Sequence, residues 1–269
     1  MKELKNSNSK TLRTRLIIEE MSAMNILIIG PAGSGKSLLT GEFGQYLKEY
    51  YSVKLVNLDS GAIQMPYKPD FDIREFFTLN EIMTKENLGP NGATLEAVAR
   101  MKNIDFPTFE EDFVLFDTPG QLEPFVFRGG AEEFRKITDG SIYLIDGTAP
   151  LNTFPSQYLY SLASQYALNT PMVRALNKID LIEPKKMEKL ERIMMDPRMF
   201  QARDERKMRS QINMDIANLL MEMYTPSQFP SISAKTNDGF ENLATYLLET
   251  VRTDEKSVEN FSFTTSQND

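Results

Sequence analysis

The 269-residue sequence contains no cysteine, no histidine and no tryptophan. The first two absences exclude disulfides, thiolate nucleophiles, iron–sulfur clusters and the zinc sites that cysteine and histidine build. They also remove the imidazole that serves many enzymes as a base near neutral pH. Any catalysis must therefore rely on carboxylates, amides, hydroxyls, lysine or arginine. A hard ion bound by oxygen atoms, such as Mg²⁺, is the metal that these groups favour.

Long apolar runs are also missing from the sequence. No run approaches the ~20 residues that span a bilayer, and the first strand-like run, at 25–30, is too short for the apolar part of a secretory signal. We therefore expect a cytoplasmic protein with no membrane partner. The net charge of −8 argues against a general nucleic-acid-binding surface, so no direct nucleic-acid partner is expected.

The composition is that of an ordinary globular protein, 41% hydrophobic and 25% charged, and short apolar strands alternate with helix-length segments. This alternation predicts an α/β fold with a doubly wound, mainly parallel sheet, helices on both faces and a ligand at the carboxyl ends of the strands. The strands are predicted at 25–29, 53–58, 113–116, 142–145, 172–176 and 230–233.

The first predicted strand leads into Gly-Pro-Ala-Gly-Ser-Gly-Lys-Ser at 30–37, which fits the phosphate-binding pattern G-x-x-x-x-G-K-S and precedes a helical pattern. The glycines let backbone N–H groups surround phosphate oxygens, Lys36 can reach the β- and γ-phosphates, and the Ser37 hydroxyl can ligate Mg²⁺. A chance glycine-rich turn would not require the strand, the helix, the lysine and the serine in register. The predicted phosphate-binding residues are Gly30, Gly33, Ser34, Gly35, Lys36 and Ser37.

A second motif, Asp-Thr-Pro-Gly at 117–120, follows the third predicted strand and fits the D-x-x-G element that senses the γ-phosphate. Asp117 would hold Mg²⁺, usually through water, and the Gly120 N–H can donate to a γ-phosphate oxygen. Alone, this tetrapeptide is an ordinary strand-to-turn sequence. After a phosphate-binding loop and at a strand end, it is much more specific.

Two further strand-end motifs, Asn-Lys-Ile-Asp at 177–180 and Ser-Ala-Lys at 233–235, match the N-K-x-D and S-A-K elements. The Asp180 carboxylate can accept both the N1–H and the N2 amino hydrogens of guanine, which adenine does not offer, and the Ala234 N–H can donate to guanine O6. We therefore predict binding of GTP and GDP. The predicted base-binding residues are Asn177, Lys178, Asp180, Ser233, Ala234 and Lys235.

With these four elements in order, the sequence resembles the P-loop GTPases, and Gly-Pro-Asn at 89–91 matches the tripeptide that names the GPN-loop GTPases. The segments 57–59, 72–75 and 117–123 are also similar to that family's blocks, and the resemblance covers about residues 24–252. It implies a Mg²⁺-dependent GTPase and a homodimer in which each GPN loop reaches toward the partner's nucleotide site. Eukaryotic members are linked to assembly and nuclear import of RNA polymerase II, so the resemblance implies a role in assembling a protein complex.

Hydrolysis in a site without histidine would use carboxylates and amides. Under the resemblance, four residues position the attacking water near the γ-phosphate: Asp59, Gln121, Glu123 and, in trans, Asn91. Which of these groups accepts the proton is left open. Family members usually have Asp-Pro-Ala after the second strand, whereas this chain has Asp-Ser-Gly, and we expect the glycine to make this loop more mobile.

The chain divides into three parts. Residues 1–23 are predicted to be a flexible N-terminal extension, which could also precede the native start, and residues 253–269 an acidic, disordered tail. Between them, residues 24–252 form the P-loop GTPase domain. Over about residues 183–226 the sequence contains no strand-like apolar run, and we interpret this segment as a helical insertion.

The insertion holds eight of the fifteen methionines. Apolar residues recur at helical spacing in its second half, at Met208, Ile212, Ile216, Leu219 and Met223. Because methionine adapts to different partners, one hypothesis is a groove for a protein client. The alternative, which such stripes favour, is packing on the sheet or on the dimer partner.

Three other functions fit parts of the sequence. Metal-delivery GTPases share the architecture but transfer ions through cysteine and histidine, which are missing here. Nucleotide kinases combine a P-loop with a helical lid, for which Arg198, Arg203, Arg206 and Arg209 are candidates, but a kinase would not need both guanine elements. A client-binding switch with negligible turnover stays open.

Overall fold

The computed structural model describes most of the predicted domain. The described residues are 23–129, 131, 134–196, 211–212, 214–216, 218–219 and 229–265, with side chains characterised as far as residue 253. The predicted N-terminal extension therefore lies almost entirely outside the described residues, as do Met208, Met223 and the four arginines considered for a kinase lid.

A six-stranded sheet forms the centre of the molecule, in the spatial order β3-β2-β4-β1-β5-β6, and every neighbouring pair is parallel. This architecture confirms the predicted doubly wound α/β fold. The strands are β1 Met24–Ile29, β2 Val53–Asn57, β3 Phe71–Asp72, β4 Phe113–Asp117, β5 Gly140–Asp146 and β6 Met172–Asn177. The sequence does not predict the two-residue strand β3, because that strand is too short to give a period-2 pattern.

Helices cover both faces of the sheet. They are α1 Lys36–Leu47, α2 Leu79–Glu86, α3 Pro90–Met101, α4 Leu122–Phe127, α5 Phe154–Leu168, α6 Pro184–Met195 and α7 Phe240–Thr265. Across the described part of the chain, no helix combines the length and the apolar content of a membrane span.

The side chains of β1 explain its uninterrupted apolar sequence. Ile26 and Ile28 belong to the buried cluster formed with α1 and α7, while Leu27 and Ile29 belong to the cluster on the other face, with α2 to α6. A strand covered on both faces has no polar side, so its sequence does not alternate. The rigid sheet between these clusters fixes the positions of the loops that leave its carboxyl edge.

The predicted last strand is wrong in extent. Residues 230–233 form one isolated parallel bridge, between Ser231 and Leu176, beside the edge of β6. Pro230 has no N–H to donate to a longer ladder. On the other side of the bridge, the Ser233 N–H donates to the Asp238 carbonyl at 3.0 Å, so the chain turns away from the sheet.

The insertion and the tail are described in part. The helix α6 and the helical residues at 211–212, 214–216 and 218–219 fall within the predicted insertion. The helix α7 continues to Thr265, and thus through much of the segment for which the sequence predicts a disordered tail. No glycine or proline follows Gly239 to end that helix.

Candidate functional site

The loop between β1 and α1 is shaped by glycines. Gly33 and Gly35 have positive φ angles of 75° and 98°, a region that side-chain-bearing residues rarely adopt. At Gly35, a Cβ atom would also lie 2.5 Å from the amide nitrogen of Asn177. The first turn of α1 therefore approaches the Asn177 side chain too closely for any residue other than glycine.

Lys36, the first residue of α1, directly follows this loop and has only 6% of its surface exposed. Its Nζ atom donates to the carbonyls of Gly30 and Pro31, at 3.0 and 3.2 Å. Burial lowers the pKa of Lys36, and the negative charges of Asp117 and Asp59 oppose that shift. The ammonium group is thus held where the backbone of the loop surrounds it, which suits contact with a bound phosphate.

Asp117, at the end of β4, is fully buried. Burial raises its pKa to about 6, although Ser37, Lys36 and Tyr67 act in the opposite direction. Its Oδ2 atom accepts a hydrogen bond from the Tyr67 hydroxyl at 3.1 Å, while Oδ1 is buried without a hydrogen-bond partner among the described residues. A buried carboxylate oxygen that lacks a hydrogen-bond partner and lies close to the Ser37 hydroxyl fits a site for a hard cation.

Asp59 connects the loop after β2 to the loop after β4. Its Oδ1 atom accepts the Gly61 N–H at 2.9 Å, and its Oδ2 atom accepts the Gly120 N–H at 3.2 Å. The Gly120 N–H, which the sequence predicts to donate to a γ-phosphate oxygen, thus donates here to the carboxylate of Asp59, a predicted catalytic residue. The loop after β2 and the loop after β4 therefore lie close enough to contact the same atoms of a ligand.

A polar network holds the base of the Asp59 loop. The Asn57 side chain accepts the Asp59 N–H at 3.0 Å and donates to Asp72 at 2.8 Å. Asp72 in turn binds Arg74 through both carboxylate oxygens, and Arg74 Nη1 donates to the Ala62 carbonyl at 3.0 Å. Burial alone would raise the pKa of Asp72, but the hydrogen bonds from Arg74 and Asn57 hold it below its usual range.

The sequence alone does not indicate a role for these supporting residues. The segments 57–59 and 72–75 are similar to blocks of the GPN-loop GTPases. Nothing in their spacing, however, shows that the side chains of Asn57 and Asp72 are in contact. Their contact depends on the pairing of β2 with β3, in which Asn57 lies opposite Asp72.

A cavity of about 170 Å³ lies beside the phosphate-binding loop. It is lined by Asp59, Gly120 and Gln121 on one side and by residues of α3, including Thr94 and Met101, on the other. Asp59 and Gln121, two of the four residues predicted to position water, thus line the same cavity.

The other two predicted catalytic residues lie elsewhere. Glu123 is exposed, and its carboxylate accepts a hydrogen bond from Arg128 Nε at 2.9 Å. Asn91 is exposed in the first turn of α3, which begins at Pro90 with Gly89 as its N-cap. Neither residue lines the cavity described above.

Asn177 joins the loop between β1 and α1 to the predicted base-binding elements. Its Nδ2 atom donates to the Ser34 carbonyl at 2.9 Å, and its Oδ1 atom accepts the Ala234 N–H at 3.0 Å. The sequence assigned that N–H of Ala234 to guanine O6, but here it binds the Asn177 amide. The residue thereby fixes three segments that are distant in sequence.

Asp180 and Ser233 form the opposite end of the site. The Ser233 hydroxyl donates to Asp180 Oδ1 at 2.7 Å and itself accepts the N–H groups of Lys235 and Thr236. Asp180 is exposed, so its carboxylate faces the solvent-accessible side of the site. The serine thus restrains the orientation of the carboxylate through one of its two oxygens.

Lys178 has the positive φ angle of 67°, and its Nζ atom donates to Asp146 Oδ2 at 2.8 Å. Burial would raise the pKa of Asp146, but Lys178 and Thr148 hold it below its usual range. Asp146, at the end of β5, is a further residue that the sequence motifs did not identify.

The chain matches a family model described as a conserved hypothetical ATP-binding protein over residues 28–253. A GPN-loop GTPase of Pyrococcus abyssi is 34% identical over 241 residues, which cover 84% of this chain and 96% of the relative. GPN-loop GTPase 3 of Yarrowia lipolytica is 27% identical over 248 residues, covering 84% of this chain and 91% of the relative.

A solved structure shows the same architecture. The apo form of a GTPase from Pyrococcus abyssi superimposes with a TM-score of 0.75 at 33% sequence identity, covering 86% of this chain and 98% of that chain. Since the match covers 86% of this chain, the likeness concerns most of its length.

Proposed function

The chain belongs to the GPN-loop GTPase family, and we propose that it binds GTP at the site described above and hydrolyses it with the help of Mg²⁺. The observation that carries this proposal is the position of Asn177. Its amide binds both the phosphate loop, at Ser34, and the S-A-K loop, at Ala234. A nucleotide bound there would extend from Lys36 at its phosphates to Asp180 at its base.

Guanine is the base that this site favours, although the family model's description names ATP. Asp180 accepts one hydrogen bond from Ser233 and retains acceptor capacity for the two donors on the guanine edge. Adenine presents no such pair of donors, so its binding would leave a carboxylate unsatisfied.

Ser37 and Asp117 are the residues that would hold Mg²⁺. The described residues include no cluster of three or more acidic side chains suited to a metal. One carboxylate and one hydroxyl match the usual protein contribution to a Mg²⁺ site, in which phosphate oxygens and water complete the coordination. When bound, the ion would neutralise charge that develops on the phosphate oxygens during transfer.

Water for hydrolysis would be positioned in the cavity beside Asp59 and Gln121. Both groups offer acceptors for the water's hydrogens, and Asp59 has the negative charge needed to favour proton removal. Glu123 would reach this space only after its bond to Arg128 is released.

A homodimer would bring Asn91 to a second site. In one chain this amide is exposed at the N-terminus of α3 and lies outside the cavity. The proposal is that it reaches the partner's γ-phosphate region, where its amide can both donate and accept. Each site would then be complete only in the assembled protein.

A role in assembling a protein complex, such as RNA polymerase, follows from the family rather than from the site. One structural observation favours a client surface in the helical insertion. Within the apolar stripe, Ile212 and Leu219 are 48% and 41% exposed, whereas Ile216 packs on the core. The apolar stripe is therefore only partly covered by the described residues.

Phosphate release measured with GTP and with ATP, in Mg²⁺ and in excess chelator, tests the enzymatic proposal. We expect release from GTP in Mg²⁺, little from ATP, and loss of turnover in the chelator. Equal turnover of the two nucleotides would overturn the assigned base selectivity. Sedimentation with and without a GTP analogue would test the dimer independently.

A further inference from the structure

The loop between β2 and β3 carries a residue that the nucleotide motifs do not include. Asp59 lies near the start of this loop, and Tyr67 lies further along, where its half-buried ring packs with the cluster that contains α1. A Cβ atom at Gly41 of α1 would lie 3.0 Å from the Tyr67 Cβ. The glycine therefore lets the tyrosine lie close against the helix that begins with Lys36 and Ser37.

The Tyr67 hydroxyl binds one oxygen of Asp117 and leaves the other oxygen unpartnered. The hydroxyl donates to Oδ2 at 3.1 Å, whereas Oδ1 has no hydrogen-bond partner among the described residues although it is buried. A tyrosine hydroxyl is protonated at neutral pH, so it can donate to this carboxylate. The bond restricts rotation of the carboxylate about its χ2 angle.

We propose that Tyr67 is a positioning residue for the magnesium site: by holding Oδ2 of Asp117, it keeps Oδ1 directed at the ion or at an ion-bound water. This inference rests on the proposed Mg²⁺ site at Ser37 and Asp117. The same hydroxyl ties the loop that carries Asp59 to the metal-binding carboxylate. Metal binding and the placement of Asp59 are thereby linked through one side chain.

The effect of the hydroxyl is separable from that of the ring. Tyr67→Phe retains the aromatic surface that packs on α1 and removes only the hydrogen-bond donor. Tyr46→Phe is a matched control, because Tyr46 also packs with this cluster, with its ring 6.1 Å from that of Phe43, but lies outside the site. Both variants lose one tyrosine hydroxyl near α1.

The measurement is the release rate of a fluorescent GDP analogue as Mg²⁺ is titrated, with the affinity in excess chelator measured alongside. For Tyr67→Phe we expect the half-saturating Mg²⁺ concentration to rise by about three- to tenfold, the size of effect that follows from loss of one typical hydrogen bond. Nucleotide affinity in the chelator should stay the same. Tyr46→Phe should match the unmodified protein in both measurements.

Several results would overturn the inference. An unchanged or lower half-saturating concentration for Tyr67→Phe would mean that the hydroxyl is irrelevant to the ion or competes with it. An equal loss of nucleotide affinity with and without Mg²⁺ would mean that Tyr67 supports the fold of the loop instead. If the unmodified protein shows no Mg²⁺ dependence, the metal site fails together with this inference, whereas a dependence that Tyr67→Phe does not shift rejects only the role of Tyr67.

Discussion

The Oδ2 atom of Asp59 accepts a hydrogen bond from the main-chain N–H of Gly120 at 3.2 Å. This bond occupies the donor that a D-x-x-G element offers to a γ-phosphate oxygen, so an incoming GTP competes with Asp59 for it. Once the phosphate accepts the N–H, the two negative groups repel each other unless a proton, a water or a cation lies between them. We expect Asp59 to move toward the adjacent cavity, where a water could bind.

Asp59→Asn tests this arrangement. The amide keeps an acceptor oxygen and nearly the same shape but loses the negative charge, so GTP should bind within about threefold of the unmodified protein while single-turnover hydrolysis falls by about 100-fold. Asp105→Asn, a carboxylate in an exposed loop, is the matched control and should change neither quantity. Unchanged hydrolysis in Asp59→Asn would remove this residue from the mechanism.

The network beneath the Asp59 loop should contribute to stability. Asp72→Ala leaves the Arg74 guanidinium and the Asn57 amide without their shared partner, and we expect a loss of about 2 kcal/mol in the free energy of unfolding by urea. Hydrolysis should also fall, because the Asn57 amide that binds the Asp59 backbone loses its own support.

Glu188→Ala provides the comparison for that measurement. It breaks a pair with Arg192 in which both side chains are 61% exposed, so the loss should be about 0.5 kcal/mol or less. Similar values for the two variants would contradict a structural role for the Asp72 network.

The motifs could be predicted from the sequence because each is a short segment next to a strand. The buried strand β1, the glycines after it and the strand-end position of Asp117 are all visible locally, and the parallel order then places the motifs at one edge of the sheet. The start of the helix at Pro90 also has a local signal, since proline suits the first helical turn.

The contacts that complete the site could not be read in this way. Tyr67 and Asp117 are separated by 50 residues, and the loop that holds Tyr67 has no helical or strand periodicity. The bond between Glu123 and Arg128 shows the same limitation, because a motif position does not determine which way an exposed side chain points. The strand expected at 230–233 reduces to a bridge because Ser233 bonds within its own turn.

Asp180→Asn should change the base preference. Replacing a carboxylate by an amide puts a donor where guanine also has a donor, so GTP affinity should fall by about tenfold or more, while xanthosine triphosphate should gain affinity. Glu183→Gln, a nearby exposed carboxylate outside the base-binding motif, is the control. If Asp180→Asn leaves the preference for GTP over the xanthosine nucleotide intact, Asp180 does not read the base.

If Asn91 acts on the partner's site, two variants that are each inactive should complement one another in a mixed dimer. A mechanism within a single chain does not predict this complementation. Lys36→Ala should lose nucleotide binding, because the ammonium group lies within the phosphate loop, whereas Asn91→Ala should retain binding and lose turnover. In a mixed dimer, the Lys36→Ala protomer supplies an intact Asn91 to a partner site that still has its own Lys36. One of the two sites is then complete.

Random mixing of the two variants in equal amounts should place half of the dimers in this state and restore about a quarter of the unmodified turnover per protomer. Mixing Lys36→Ala with the double variant Lys36→Ala, Asn91→Ala gives the control, since neither site of that dimer can bind nucleotide. Differently tagged protomers allow the mixed dimers to be isolated before the assay. Because a loop that acts within its own chain cannot repair a neighbour, inactive mixed dimers of verified composition would place Asn91 outside the partner's site.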